Sequence, residues 1–217
     1  STQLEELVFR ECSQIPAVAW QKVGSAKWLN LKKADFRWCF DKDTKGADGA
    51  PDLLQALSHS SLLEELNFHG SSEIPAAAWQ RLPDGVWPKL RDADGIPREE
   101  LQRLRRQAEG ATCRTLSTST LEIAADDSVA LVGPRRLKIA VARDLDSDAM
   151  ELMACLSSSP IEVLDLCSCN QIPTGAWQKV RGAKWLHLKK ADFRWCFDID
   201  TKGADGAADL LEALSQS

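Results

Sequence analysis

The sequence predicts an α/β fold assembled as a stacked array, on three observations. Residues 4–60 return at 161–217, displaced by 157 positions, with 41 of 57 residues unchanged. A third, partial copy covers 63–94, where Leu63-Glu64-Glu65-Leu66 repeats Leu4-Glu5-Glu6-Leu7. Within each copy a short segment of period 2 precedes one with apolar residues three and four apart, a strand and then a helix. Self-similarity at fixed spacing marks units that stack on one another, because no single unit buries its own apolar side.

In the first unit Leu7 and Phe9 face inward and Val8 outward. Cys12 lies at the bend, Ile15 packs inward, and Pro16 suits the first turn of a helix, where a missing N–H costs nothing. Ala19, Trp20 and Val23 form the inner stripe of that helix, and Trp79 and Trp177 hold the equivalent place. The second unit is read as Ala26, Leu29, Leu31, Ala34 and Phe36. A polar loop and a second helix around Pro51–Leu57 follow, with Leu53, Leu54 and Leu57 inward. Marking the fourth position of each unit gives Leu7, Leu29, Leu66, Pro88, Leu116, Leu137, Leu164 and Leu186. Eight units over 217 residues average about 27 each. Pro88 cannot donate to a strand ladder, so an irregularity is expected there. Residues 95–160 diverge, and the Thr- and Ser-rich fifth unit, Cys113–Leu121, is the least regular.

The spelling L-x-x-L-x-L-x-x-C-x-x-I, from Leu4 to Ile15, resembles the leucine-rich repeat family, in particular its cysteine-containing variant. That resemblance implies a solenoid over residues 1–217, with a curved parallel sheet on the concave face and helices outside. It also implies a protein-binding role through the concave face. Two alternatives stand beside that role: a substrate-recognition segment of a larger ubiquitin-ligase or signalling protein, and a structural or assembly subunit that contacts neighbours end to end.

Composition sets bounds. Apolar residues make up 44 % and charged residues 27 %, a globular balance. No apolar run is long enough to cross a membrane, and Ser1-Thr2-Gln3-Leu4-Glu5 does not read as a signal peptide. A net charge of -5 argues against a partner held by bulk attraction to phosphate, so no nucleic acid is expected. Seven cysteines is an odd number, and Cys12 and Cys169 align with Ser71, so these look like small buried groups rather than bridged partners. An intracellular, cytoplasmic setting is expected.

Motifs with chemical potential reduce to simpler readings. Asp41-Lys42-Asp43-Thr44-Lys45-Gly46, repeated at 198–203, opens like a calcium loop. The fifth place, however, holds Lys45 or Lys202, and the twelfth holds Asp52 or Asp209, where a bidentate Glu is needed. Cys167-x-Cys169 lacks a second ligand pair at zinc spacing. His59, His69 and His187 do not recur between copies, and no nucleophile or phosphate-loop motif is present. No metal, cofactor or catalytic residue is assigned, and the chain is not expected to be an enzyme. The candidate site is the outward face of the strands. Trp28, Trp87 and Trp185 stand there as exposed aromatic anchors beside Lys32, Lys33, His187, Lys189 and Lys190. The alternating acidic and basic strands also suit a ladder of cross-strand pairs. Both ends of the array are expected to be uncovered, because the first strand starts at Leu4 and the last helix ends near Leu214. End-to-end self-association or continuation in a longer array follows from that.

Overall fold

A computed structural model describes residues 3–105, 136–138, 148–158, 160–199, 201 and 203–216. It is α/β, with an all-parallel sheet and helices packed against it. The strands are β1 (Glu6–Val8), β2 (Lys33–Asp35), β3 (Glu65–Asn67), β4 (Asp92–Asp94), β5 (Arg136–Lys138), β6 (Val163–Asp165) and β7 (Lys190–Asp192). The helices are α1 (Ala17–Trp20), α2 (Ala50–Ser58), α3 (Ala76–Gln80), α4 (Arg98–Arg105), α5 (Asp148–Ser158), α6 (Thr174–Trp177) and α7 (Ala207–Gln216). Among the described residues no helix is long and apolar enough to cross a membrane. The fifth unit lies outside the described residues, whereas the sixth is represented by β5 around Leu137.

Spatial order departs from chain order. The sheet runs β4-β3-β2-β1-β7-β6-β5, so the C-terminal copy stands in front of the N-terminal one. β1 is therefore an interior strand, paired on one side with β2 and on the other with β7. This corrects the expectation of an uncovered first strand. β7 supplies that edge, and the last helix, α7, lies against α1.

Pairing also corrects the register of the second units. Leu7 pairs with Ala34, Leu66 with Ala93, and Leu164 with Ala191, so the fourth positions are Ala34, Ala93 and Ala191 rather than Leu29, Pro88 and Leu186. Leu29 and Leu186 are 45 % and 55 % exposed and sit in turns five residues before those strand positions. Pro88 precedes β4, which explains how the ladder tolerates it.

The core is a ladder of rings. Phe193, Phe9, Phe36 and Phe68 stack from strand to strand, with centroid separations of 5.0, 6.1 and 5.4 Å. Trp20 meets Phe9 and Phe36 edge-on at 5.6 and 5.9 Å, as Trp79 meets Phe68 at 5.5 Å. Trp20, Trp79 and Trp177 are fully buried, as their place on the helix stripe predicts. Gly46 lets Trp20 lie close to the loop, since a Cβ there would stand 2.7 Å from both the Ile15 carbonyl oxygen and the Trp20 indole nitrogen.

After β1, β2, β3, β6 and β7 the chain turns through a left-handed residue, respectively Glu11, Trp38, Gly70, Ser168 and Trp195, all at positive φ. The next residue closes the turn with its side chain. The Cys12 thiol donates to the Phe193 carbonyl at 3.0 Å, Cys196 donates to Leu166 at 2.8 Å, and the Ser71 hydroxyl donates to Phe36 at 3.0 Å. Cys39 donates likewise to the Phe9 carbonyl. Burial pushes the Cys39 and Cys196 thiols well above their usual range, which keeps them protonated donors. The six described cysteines are free thiols. Cys12, Cys39, Cys169 and Cys196 are buried, in line with the reading of the repeat-position cysteines as small buried groups, whereas Cys155 is exposed and Cys167 half-buried. Cys39→Ser should therefore be tolerated, whereas Cys39→Val should cost roughly 1–3 kcal/mol by orphaning the Phe9 carbonyl. Urea midpoints check this, and equal midpoints for the two variants would remove the thiol from the turn's hydrogen-bond ledger.

Candidate functional site: the open face of the sheet

Three of the eight sequence-predicted site residues are not on the surface. Trp28 and Trp87 are 0 % and Trp185 is 1 % exposed, so none is a surface anchor. Each lies between the end of a helix and the following strand, and its indole N–H donates to a last-turn carbonyl of a different helix. Trp28 reaches Leu214 at 3.1 Å, Trp87 reaches Leu57 at 2.9 Å, and Trp185 reaches Leu156 at 2.9 Å. The late register of the second units is the cause, because it moves these positions off the strand and under a helix end. They are helix C-terminal partners that supply a side-chain donor to last-turn carbonyls, the Leu57 carbonyl also accepting from the Ser60 N–H at 2.9 Å.

The lysines remain at the surface. Lys32 and Lys190 are exposed, and Lys33 and Lys189 half-exposed, at or beside the strands. His187 is exposed in a turn rather than on a strand and is not brought together with them by any strand pairing. Each of these lysines is paired with an acid: Lys32 with Glu5 at 2.9 Å, Lys33 with Glu65 at 3.0 Å, Lys190 with Glu6 at 2.9 Å, and Lys189 with Glu162 at 3.6 Å. The Lys32 ammonium holds the Glu5 carboxyl below its usual value, and the Glu65 carboxylate raises Lys33. For Glu5 the sign is that of a depressed acid. Its contribution is present above its unfolded pKa and is lost as pH falls through the folded one.

Sequence reasoning missed the strongest pairs on this face. Arg37 grips Asp35 through Nε, 2.9 and 3.0 Å from the two carboxylate oxygens, and Arg194 holds Asp192 at 3.0 and 2.9 Å. Asp35 is 5 % exposed, and that guanidinium is paired with its buried carboxylate. The carboxylates in turn raise both arginines, which stay charged at any ordinary pH. The signal was available: Lys-Lys-Ala-Asp-Phe-Arg is identical in both copies, at 32–37 and 189–194. Lys33, Asp35, Arg37, Glu65, Asn67 and Asp92 border a shallow cavity of about 190 Å³ on this face.

The calcium-like loop is a structural turn. The Thr44 hydroxyl donates to the Cys39 carbonyl at 2.9 Å, and the Asp43 N–H donates to the Asp41 carboxylate at 3.1 Å. Among the described residues, no three potential metal-ligating side chains converge. His69 pairs with Asp94 at 3.1 Å. Compared with known proteins, the chain matches no family model, and neither the curated proteins nor the solved structures give a significant match.

Proposed function

We propose that the chain is a leucine-rich-repeat-like array that binds a protein partner through the open face of its sheet. The observation that carries this reading is the recurrence of outward charged positions at one register across adjacent parallel strands: Lys190, Glu6, Lys33 and Glu65 on β7, β1, β2 and β3. Side chains held in rows by a rigid backbone make a pre-organised surface, which lowers the ordering cost of binding. The internal ion pairs fix the orientation of those rows. Each exposed pair adds only about 0–1 kcal/mol to stability, so its members can be exchanged for contacts to a partner.

Replacing Lys32, Lys33, Lys189 and Lys190 together with alanine tests the reading. The variant should fold near the parent and lose a partner that the parent retains in affinity purification. Val18→Glu, on the 61 % exposed outer side of α1, should keep that partner. A partner held equally well by the alanine variant would remove the sheet face from the binding role.

A further inference from the structure

The junction between β7–α7 and β1–α1 is non-covalent, yet it reproduces a junction that the chain makes covalently elsewhere. In the covalent case α2 leads directly into β3, and β2 pairs with β3. Across the non-covalent junction β7 pairs with β1 in the same register: Lys190 opposite Glu6 and Ala191 opposite Leu7, as Lys33 stands opposite Glu65 and Ala34 opposite Leu66. The ion pairs match, at 2.9 and 3.0 Å.

The buried contacts match as well. Phe193 stacks on Phe9 at 5.0 Å as Phe36 stacks on Phe68 at 5.4 Å. Trp28 donates to Leu214 of α7 as Trp87 donates to Leu57 of α2. Cys12 donates to the Phe193 carbonyl at 3.0 Å, and Ser71 donates to the Phe36 carbonyl at the same distance. The backbone closes identically, with the Trp195 N–H on the Arg10 carbonyl and the Trp38 N–H on the His69 carbonyl, both at 3.0 Å.

Two properties follow. The surface formed by β1 and α1 is complementary to β7–α7 at every level, from backbone ladder to ring stack to charge. None of these contacts requires both sides to belong to one chain, and every copy of the protein carries both sides, closed on each other within the chain described here. We propose that this junction also closes between copies, so that β1 and α1 of one chain are a docking surface for β7 and α7 of a second. The partner is another copy of this chain, joined head to tail. Closure within a chain and closure between chains use the same contacts, so chain concentration sets their ratio by mass action.

The ion pair across the junction supplies the probe. Equal amounts of ordinary and ¹⁵N-labelled full-length chain are unfolded together, refolded over a range of concentrations, and treated with a carbodiimide that couples paired amines and carboxylates. Peptides joined through Glu6 and Lys190 are then weighed. Closure between copies gives hybrid pairs, one partner from each isotope. Their share should rise with concentration towards about half of all Glu6–Lys190 links, the statistical ceiling when every junction is intermolecular. Links between Lys33 and Glu65, both on the N-terminal side, should stay isotopically pure throughout. Glu6–Lys190 links that are pure at every concentration would overturn the proposal. Failure of that link to form at all, while Lys33–Glu65 links do form, would overturn the junction itself.

Discussion

Trp28→Ala is expected to lower unfolding stability by ~3–5 kcal/mol, the range for removing a large buried aromatic. Trp28 is fully buried and donates to the Leu214 carbonyl, so two effects add: lost packing, and an acceptor at the end of α7 left without its donor. Trp28→Phe separates them. It keeps most of the ring volume and removes the N–H, leaving roughly 1–3 kcal/mol for the orphaned carbonyl. Chemical denaturation of the three proteins reads both terms. A Trp28→Ala variant with an unchanged midpoint would return this ring to the surface and restore it as a candidate partner anchor.

The second large effect is at Trp20. Trp20→Ala should also cost ~3–5 kcal/mol, since the ring closes on Phe9, Phe36 and Phe40 and fills the space that Gly46 leaves open. Here the conservative change should behave differently. The Trp20 indole nitrogen is buried with no hydrogen-bond partner, so Trp20→Phe forfeits no bond and should cost less than Trp28→Phe. The two tryptophans are eight residues apart in the sequence and equally buried, and the difference between their Phe variants isolates the hydrogen bond. Identical costs for the two Phe variants would show that the Trp28 N–H contributes nothing measurable.

Much of this was legible in the sequence. Trp20, Trp79 and Trp177 fall on a helix stripe that has one consistent reading, and burial follows. The register of the second units was not legible, because Leu29-x-Leu31 satisfies the strand pattern as well as Ala34-x-Phe36 does. Period-2 alternation tells inward from outward but does not distinguish two overlapping frames. The structure takes the frame that puts Phe36 into the ring ladder and leaves Leu29 half out of it. Trp28 followed Leu29 into the wrong frame, and the aromatic anchors went with it. The lysines of the open face survived the error because Lys32 and Lys33 border the strand in either frame. Stacking order was also hidden. Near-identical copies present near-identical edges, so the sequence indicates which surfaces fit each other and leaves open which copies meet.

That order has a consequence for the nascent chain. The Cys12–Phe193 and Trp28–Leu214 hydrogen bonds join residues 181 and 186 positions apart, whereas the β1–β2 ladder joins residues 27 apart, as from Leu7 to Ala34. Translation delivers β1 first and its front neighbour last. At roughly 5–20 residues per second, β1 waits on the order of 10–40 s for β7. Throughout that interval Leu7, Phe9 and Trp28 lack their covering strand and helix, and an unpaired strand edge recruits whatever strand is nearest. On a polysome, a chain whose ribosome has already passed β7 offers that strand to the waiting β1 of a chain behind it.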